Sequence, residues 1–118
     1  MVAINYVPER GDAVWLNFDP QSGREQGGRR PALILSPAYY NRRAGLAIAC
    51  PITNAVKGYP FEVAIPTGSG ITGVVLADHV KSSDWRTREV EFICRLPAPI
   101  VEQVMAKLSV LAGTQAKK

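Results

Sequence analysis

Apolar and polar positions alternate in short bursts along this chain, and each burst stops at a turn signal. Asp12-Ala13-Val14-Trp15-Leu16-Asn17-Phe18 alternates and carries aromatics, which predicts a strand. Asp19-Pro20-Gln21-Ser22-Gly23 is turn chemistry and opens a loop that runs through Arg29. Pro31 to Leu35 is apolar throughout and predicts a strand buried on both faces. Ser36-Pro37 fits a helix N-cap with proline at the first helical position, leading into a short helix from Pro37 to about Arg43 that carries Tyr39 and Tyr40. Leu46 to Cys50 predicts another apolar strand, ending at Pro51-Ile52-Thr53-Asn54.

Lys57-Gly58-Tyr59-Pro60 is a turn before a strand at Phe61 to Ile65, and Pro66-Thr67-Gly68-Ser69-Gly70 is a further turn. Thr72 to Leu76 and Glu89 to Leu96 supply two more strands, with a half-turn at Asp78-His79-Val80 between them. From Pro99 to about Leu111 the period changes to that of a helix. Ile100, Val101, Val104, Leu108 and Leu111 share one face, and Gly113 is placed to stop the helix. Val2 to Gly11 is expected to be a loosely held arm. The sum is a mainly β (α+β) fold, with residues 1–118 as a single domain. Short strands with frequent Gly and Pro turns argue for a small curled sheet or barrel, with the C-terminal amphipathic helix covering an open side.

Composition narrows the classes. The chain has 118 residues and is 47% hydrophobic, enough for a core of its own. No apolar run approaches the roughly 20 residues of a membrane helix. The N-terminus has no basic segment ahead of an apolar one, so no signal peptide is expected. Cys50 and Cys94 each sit in a strand-like apolar run. They are read as buried reduced thiols in a cytoplasmic protein, and not as a disulfide scaffold. The net charge of +4 favours an anionic partner without singling out nucleic acid.

Candidate chemistry concentrates at Glu25-Gln26-Gly27-Gly28-Arg29-Arg30-Pro31. This Gly-paired loop delivers a carboxylate and two guanidiniums to the mouth of an apolar strand. An arginine fork suits phosphate oxygens, and Pro31 biases Arg30 toward extended geometry. Thr53, and Asp78 with His79, are the other polar positions at strand ends. One His and two separated Cys make no zinc site, no carboxylate spacing suggests calcium, and no P-loop, dinucleotide fingerprint or nucleophile elbow occurs. An enzyme with this inventory is expected to need no metal or organic cofactor. Transesterification within RNA fits, because the substrate supplies its own nucleophile, the 2′-hydroxyl. Each residue also has a structural reading. Arg30 can pair with Glu25, Thr53 and Asp78 can cap turns, His79 can be a rim histidine, Trp15 is expected in the core, and Trp85 suits burial or base stacking equally.

The sequence resembles the MazF/PemK/Kid family of bacterial toxins, and its MazF branch most closely. The matching residues are Arg10-Gly11-Asp12 through Phe18-Asp19-Pro20, Glu25-Gln26, Arg30-Pro31-Ala32, Leu35-Ser36-Pro37, Tyr40-Asn41, Lys57 through Val63, Gly73-Val74, Leu76-Ala77-Asp78, Val80-Lys81-Ser82 and Trp85-Arg86. The resemblance implies an SH3-like barrel with a C-terminal helix, and a homodimer. It also implies a sequence-specific, ribosome-independent endoribonuclease that leaves 2′,3′-cyclic phosphate and 5′-hydroxyl ends on single-stranded mRNA. A MazE-like antitoxin with an acidic, disordered C-terminal segment is the implied partner. The family's essential arginine falls on Arg30, its catalytic threonine on Thr53 and its loop glutamate on Glu25. Asp78 takes the place of the Kid-branch aspartate, but the arginine paired with it there falls on Leu76. RNA contacts are expected from Gln26, Arg29, Asn54, Lys57 and Lys81, with specificity in the loops Gln21 to Arg29 and Asn54 to Tyr59. Two rival readings remain, a CcdB-like gyrase poison on the same fold and a non-catalytic SH3-like binding module.

Overall fold

The structure is a computed structural model, and it describes residues 5–18 and 28–113. Glu25 and Gln26, with the turn that opens at Asp19, lie outside the described residues. Seven strands run as β1 (Asp12–Phe18), β2 (Gly28–Ile34), β3 (Ala47–Thr53), β4 (Glu62–Ala64), β5 (Val74–Leu76), β6 (Lys81–Ser83) and β7 (Glu91–Arg95). Helix α1 (Ala38–Ala44) follows β2, and α2 (Ala98–Ala112) follows β7. All pairings are antiparallel, in the order β4-β5-β3-β2-β1-β7, with β6 added to β3.

Alternation along β1 and β2 sorts their side chains into two cores. Ala13 and Leu33, followed by Leu35, join Cys50, Ile52, Val63, Val75, Leu96, Ile100, Val101 and Val104 in the core beneath α2. Val14, Leu16, Phe18, Ala32 and Ile34 join Ala47, Ala49 and Trp85 in the other, with Tyr6 and Val7 packed against it. Successive strand residues point to opposite faces, so a strand with two buried faces must be apolar throughout. That is the pattern of Pro31 to Leu35, and the curled antiparallel sheet with a covering helix agrees with the expected α+β barrel. In α2, Ile100, Val101 and Val104 are buried and Leu108 is half-buried. Each fully buried apolar side chain stabilises by roughly 1.5–3 kcal/mol. Leu111, expected on the same face, is exposed. No helix among the described residues is long and apolar enough to cross a membrane.

Four expectations are corrected. First, β6 has no apolar alternation; it is a strand because Ala47 to Ala49 of β3 offers it a partner. Second, the described part of the N-terminal arm is tied down. Pro8 is buried and its carbonyl accepts the Asn41 side-chain N–H at 2.7 Å, while Gly11 N–H donates to the Ile34 carbonyl at 2.9 Å. Third, Ser36 does not cap α1. The N-cap is Pro37, with no side-chain capping bond. The Ser36 hydroxyl instead donates to Asn41 Oδ1 at 2.6 Å and accepts the Ile48 N–H at 2.8 Å. Fourth, Trp15 is not in the core, and of the two readings of Trp85 burial is the one observed. Trp15 is 38% exposed, and Trp85 is buried with its indole N–H donating to the Asn41 carbonyl at 3.0 Å.

Candidate active site

Arg30 on β2 and Thr53 at the end of β3 line one open cavity of about 320 Å³, together with Trp15, Asn54, Ile71 and Thr72. Strand β2 brings Arg30 there from the loop side. Strand β3 brings Thr53, because the antiparallel pairing of Ala32 with Pro51 sets the end of β3 beside the start of β2. Thr53 is half-buried. Its Oγ1 accepts the Ala55 backbone N–H at 3.1 Å, so the expected turn-capping role is real. A hydroxyl has one proton to donate beyond its lone pairs, and the cap leaves that proton for a ligand oxygen.

The segment leading into β5 closes the cavity on the Thr53 side. Thr72 Oγ1 donates to Asn54 Oδ1 at 3.0 Å. Gly73 has φ +117, and a Cβ there would stand 2.4 Å from the Thr53 carbonyl oxygen. Thr72 and Gly73 went unnoticed in the sequence as site residues. Gly70 and Gly73 flanking Ile71-Thr72 were the available signal.

The other candidates are dispersed. Neighbouring residues on a strand project to opposite faces, so Arg29 does not share the surroundings of Arg30. Its guanidinium donates to Asn17 Oδ1 at 3.0 Å and to Glu91 at 3.1 Å, and it lines a different, larger cavity with Tyr6, Arg42 and Arg86. Lys57 is exposed in the loop between β3 and β4. That loop is pinned at its far end, where the Glu62 carboxylate accepts the N–H groups of Lys57 and Gly58 at 3.0 and 2.9 Å and Lys107 of α2 donates to the Pro60 carbonyl. Lys81 on β6 stands over the Phe18 ring, 5.7 Å from its centroid. Asp78 is in the single helical turn Ala77–His79 after β5, 4.0 Å from His79 Nε2, and is not among the residues lining the Arg30–Thr53 cavity. Among the described residues no group of three His, Cys, Asp or Glu is placed to hold a metal.

Neither cysteine lines this cavity. Cys50 and Cys94 are free. Burial, with Asp78 nearby, pushes the Cys50 thiol up to about 12. Cys94 is raised as well, by burial and then by Asp12, but it is only half-buried, short of the full burial expected for it.

The seven-stranded antiparallel sheet with a C-terminal helix is the fold of solved MazF structures. MazF from Deinococcus radiodurans superposes with a TM-score of 0.89 at 56% identity, covering 93% of this chain and 100% of that one. A MazE–MazF structure from the same organism gives 0.85 at 56% identity, covering 94% and 100%. The endoribonuclease toxin MazF of Escherichia coli K12 is 44% identical over 108 residues, 92% of this chain and 96% of that protein. The family model for PemK-like, MazF-like toxins of type II toxin–antitoxin systems matches residues 9–112. The chain belongs to that family.

Proposed function

We propose that this chain is the toxin of a type II toxin–antitoxin pair and acts as an endoribonuclease on single-stranded RNA. The observation that carries the reading is the convergence of Arg30 and Thr53 on one cavity, in a chain 44% identical to an endoribonuclease over nearly its whole length. The substrate 2′-hydroxyl gives up its proton to a base as its oxygen attacks the adjacent phosphorus, the bond to the 5′-oxygen breaks, and an acid returns a proton to that oxygen as it leaves. The products are a 2′,3′-cyclic phosphate and a 5′-hydroxyl. Arg30 stabilises the charge that builds on the phosphoryl oxygens, where a planar guanidinium fork fits two of them. The Thr53 hydroxyl donates to one of these oxygens. Glu25 is the carboxylate proposed for proton transfer; Asp78 is the weaker assignment, since it does not line the Arg30–Thr53 cavity. Gln26, Arg29, Asn54, Lys57 and Lys81 hold the strand on either side of the reacting phosphate.

The reaction is proposed to need no metal, to be sequence-specific and independent of the ribosome, and to proceed in the cytoplasm by a homodimer. The partner is a MazE-like antitoxin whose acidic tail competes with RNA. This last reading is supported by the Deinococcus MazE–MazF structures. The test is cleavage of a long single-stranded RNA in excess EDTA, beside DNA of the same sequence. RNA cut to 5′-hydroxyl ends with DNA intact is the expected result, since deoxyribose lacks the attacking hydroxyl. A strict magnesium requirement overturns the mechanism. Intact RNA under all conditions favours the gyrase-poison or binding-module alternatives.

A further inference from the structure

We infer that Thr72 and Gly73 are positioning residues for the RNA site, fixing Thr53 and turning the Asn54 amide so that it offers donors to the bound strand. The inference rests on the endoribonuclease reading and adds two residues and a direction of hydrogen bonding to it.

Gly73 packs without a side chain against the backbone of Thr53. A Cβ on Gly73 would meet the Thr53 carbonyl oxygen at 2.4 Å, its carbonyl carbon at 2.9 Å and Asn54 Oδ1 at 3.0 Å. The first two contacts are with backbone, so neither can yield by a rotamer change. The φ of +117 is one that other residues adopt only under strain. The approach is held from both sides. Thr53 pairs with Val74 in the β3–β5 ladder, and the Gly73 carbonyl accepts the Ile65 N–H at 3.0 Å. The Thr53 carbonyl is thus set against β5, and with it the Thr53 hydroxyl.

Thr72 acts on the next residue. Its hydroxyl donates to Asn54 Oδ1 at 3.0 Å. An asparagine amide has one oxygen that accepts and one nitrogen that donates twice. With that oxygen turned to Thr72 and one of its lone pairs occupied, the –NH2 group is the part of Asn54 with no bond to Thr72 and is left to donate to a ligand. Asn54 and Thr72 both line the cavity that holds Arg30 and Thr53. The group bound by Asn54 is therefore an acceptor, either a phosphate oxygen or a base carbonyl or ring nitrogen. Without the Thr72 hydroxyl the amide can turn over and present its oxygen, which accepts from base amino groups instead. Thr72 is then a determinant of which base is accepted beside the cleaved bond.

The experiment compares the wild-type chain with Thr72→Val, Thr72→Ser and Gly73→Ala. Three readouts are used: kcat and KM on one short RNA, sequenced 5′-hydroxyl ends from a mixed RNA pool, and thermal unfolding. Thr72→Val keeps shape and loses the donor. It is expected to raise KM by roughly three- to tenfold, more than it lowers kcat, the range expected for one hydrogen bond. It should also relax one position of the cleaved sequence, and Thr72→Ser should restore that position. Gly73→Ala is expected to lower kcat by at least roughly tenfold, since it moves Thr53 itself. If Gly73→Ala fails to fold, the Thr72 pair still decides. Thr72→Val with the wild-type KM and cleavage pattern overturns the inference. So does a uniform loss at all sites that tracks a lowered melting temperature, which is a merely structural effect. If Thr72→Val loses only affinity and Thr72→Ser restores it, with the pattern intact, Asn54 holds a phosphate and the base-reading arm is overturned. A wild-type chain that leaves RNA intact fails the underlying reading instead, and the wild-type lane alone shows it.

Discussion

The indole N–H of Trp85 donates to the backbone carbonyl of Asn41 at 3.0 Å, joining two residues 44 positions apart in the buried interior. Asn41 is itself a hub. Its side chain donates to the carbonyls of Pro8 and Ser36 and accepts the Ser36 hydroxyl. One buried residue thus ties the N-terminal arm and the turn before α1, through its side-chain amide, to the loop that carries Trp85, through its backbone carbonyl.

Asn41→Ala leaves the Pro8 and Ser36 carbonyls and the Ser36 hydroxyl without that partner. A buried polar group left unsatisfied costs about 1–3 kcal/mol, so the expected loss is about 3 kcal/mol, read as a lowered denaturation midpoint. Trp85→Phe keeps most of the apolar volume and loses one hydrogen bond. It is expected to cost less, about 1–2 kcal/mol with the smaller ring included. If the asparagine variant is the milder of the two, Asn41 is not the hub described.

Little of this network was legible in the sequence, and the reason is physical. The alternation in Asp12 to Phe18, the apolar run in Pro31 to Leu35 and the helical period after Pro99 are local, and each named its element. The partner of the Trp85 indole is a backbone carbonyl far away in sequence, so no local pattern distinguished a core tryptophan from a surface one. Trp15 was misassigned for the complementary reason. It lies on a strand whose other apolar residues are buried, yet it lines an open cavity. β6 was missed because Lys81-Ser82-Ser83 has no propensity of its own and is ordered by β3. At the site, Arg30 and Thr53 were legible as polar residues at strand ends. The Thr72 and Gly73 contacts that fix Thr53 and Asn54 depend on the β3–β5 register, which appears only in the fold.

Arg30→Ala and Thr53→Ala are each expected to lower the cleavage rate by on the order of 10²–10³, the usual cost of one donor to a charged transition state. Arg30→Lys is expected to be nearly as poor, because an ammonium cannot reproduce the bidentate fork. Glu25→Gln is expected to lose less. Single-turnover cleavage and circular dichroism check both rate and fold. Near wild-type cleavage by Arg30→Ala removes that residue from the chemistry.

Trp15 lines the Arg30–Thr53 cavity and is 38% exposed, a geometry suited to stacking on a base. Stacking contributes roughly 1–3 kcal/mol per base. Trp15→Ala is therefore expected to weaken RNA binding about five- to 100-fold, and Trp15→Phe by less. Fluorescence separates the two indoles. RNA should quench the emission of a Trp85→Phe variant, in which Trp15 is the remaining tryptophan, and leave a Trp15→Phe variant nearly unchanged. The opposite pattern contradicts the placement.

The raised Cys50 thiol sets a sign for alkaline stability. The folded thiol holds its proton up to about 12, against an ordinary value of 9.0. Between those two pH values the unfolded chain binds fewer protons than the folded one, so stability falls as pH rises. The contribution is fully present below pH 9 and lost by about pH 12. Tyr6, raised by burial and by its bond to Asp12, adds in the same direction at the alkaline end. Denaturation midpoints from pH 8 to 11 are expected to fall, and Cys50→Ala should flatten the first part of the slope. A midpoint that rises over this range contradicts the burial of Cys50.

The final prediction concerns assembly. Tyr39 and Tyr40 of α1, Ile48 of β3 and Met105 of α2 are exposed, and with Leu108 they line a groove of about 410 Å³. Large apolar side chains gathered from three elements at one surface are costly to leave in water, at roughly 25 cal/mol per Å². A second copy related by a two-fold axis would cover them on both subunits at once, because such an interface is self-complementary. A stable interface of this kind buries roughly 800 Å² per partner. Light scattering at micromolar concentration is therefore expected to give twice the chain mass. Met105→Lys and Tyr39→Lys place an uncompensated charge in the interface and are expected to give monomers that remain folded, since both positions are exposed in the single chain. If the RNA groove spans both subunits, those monomers should cleave poorly, and RNA binding by the dimer should weaken steeply with salt as phosphate contacts release counterions. A wild-type monomer with full cleavage activity rules out the shared groove.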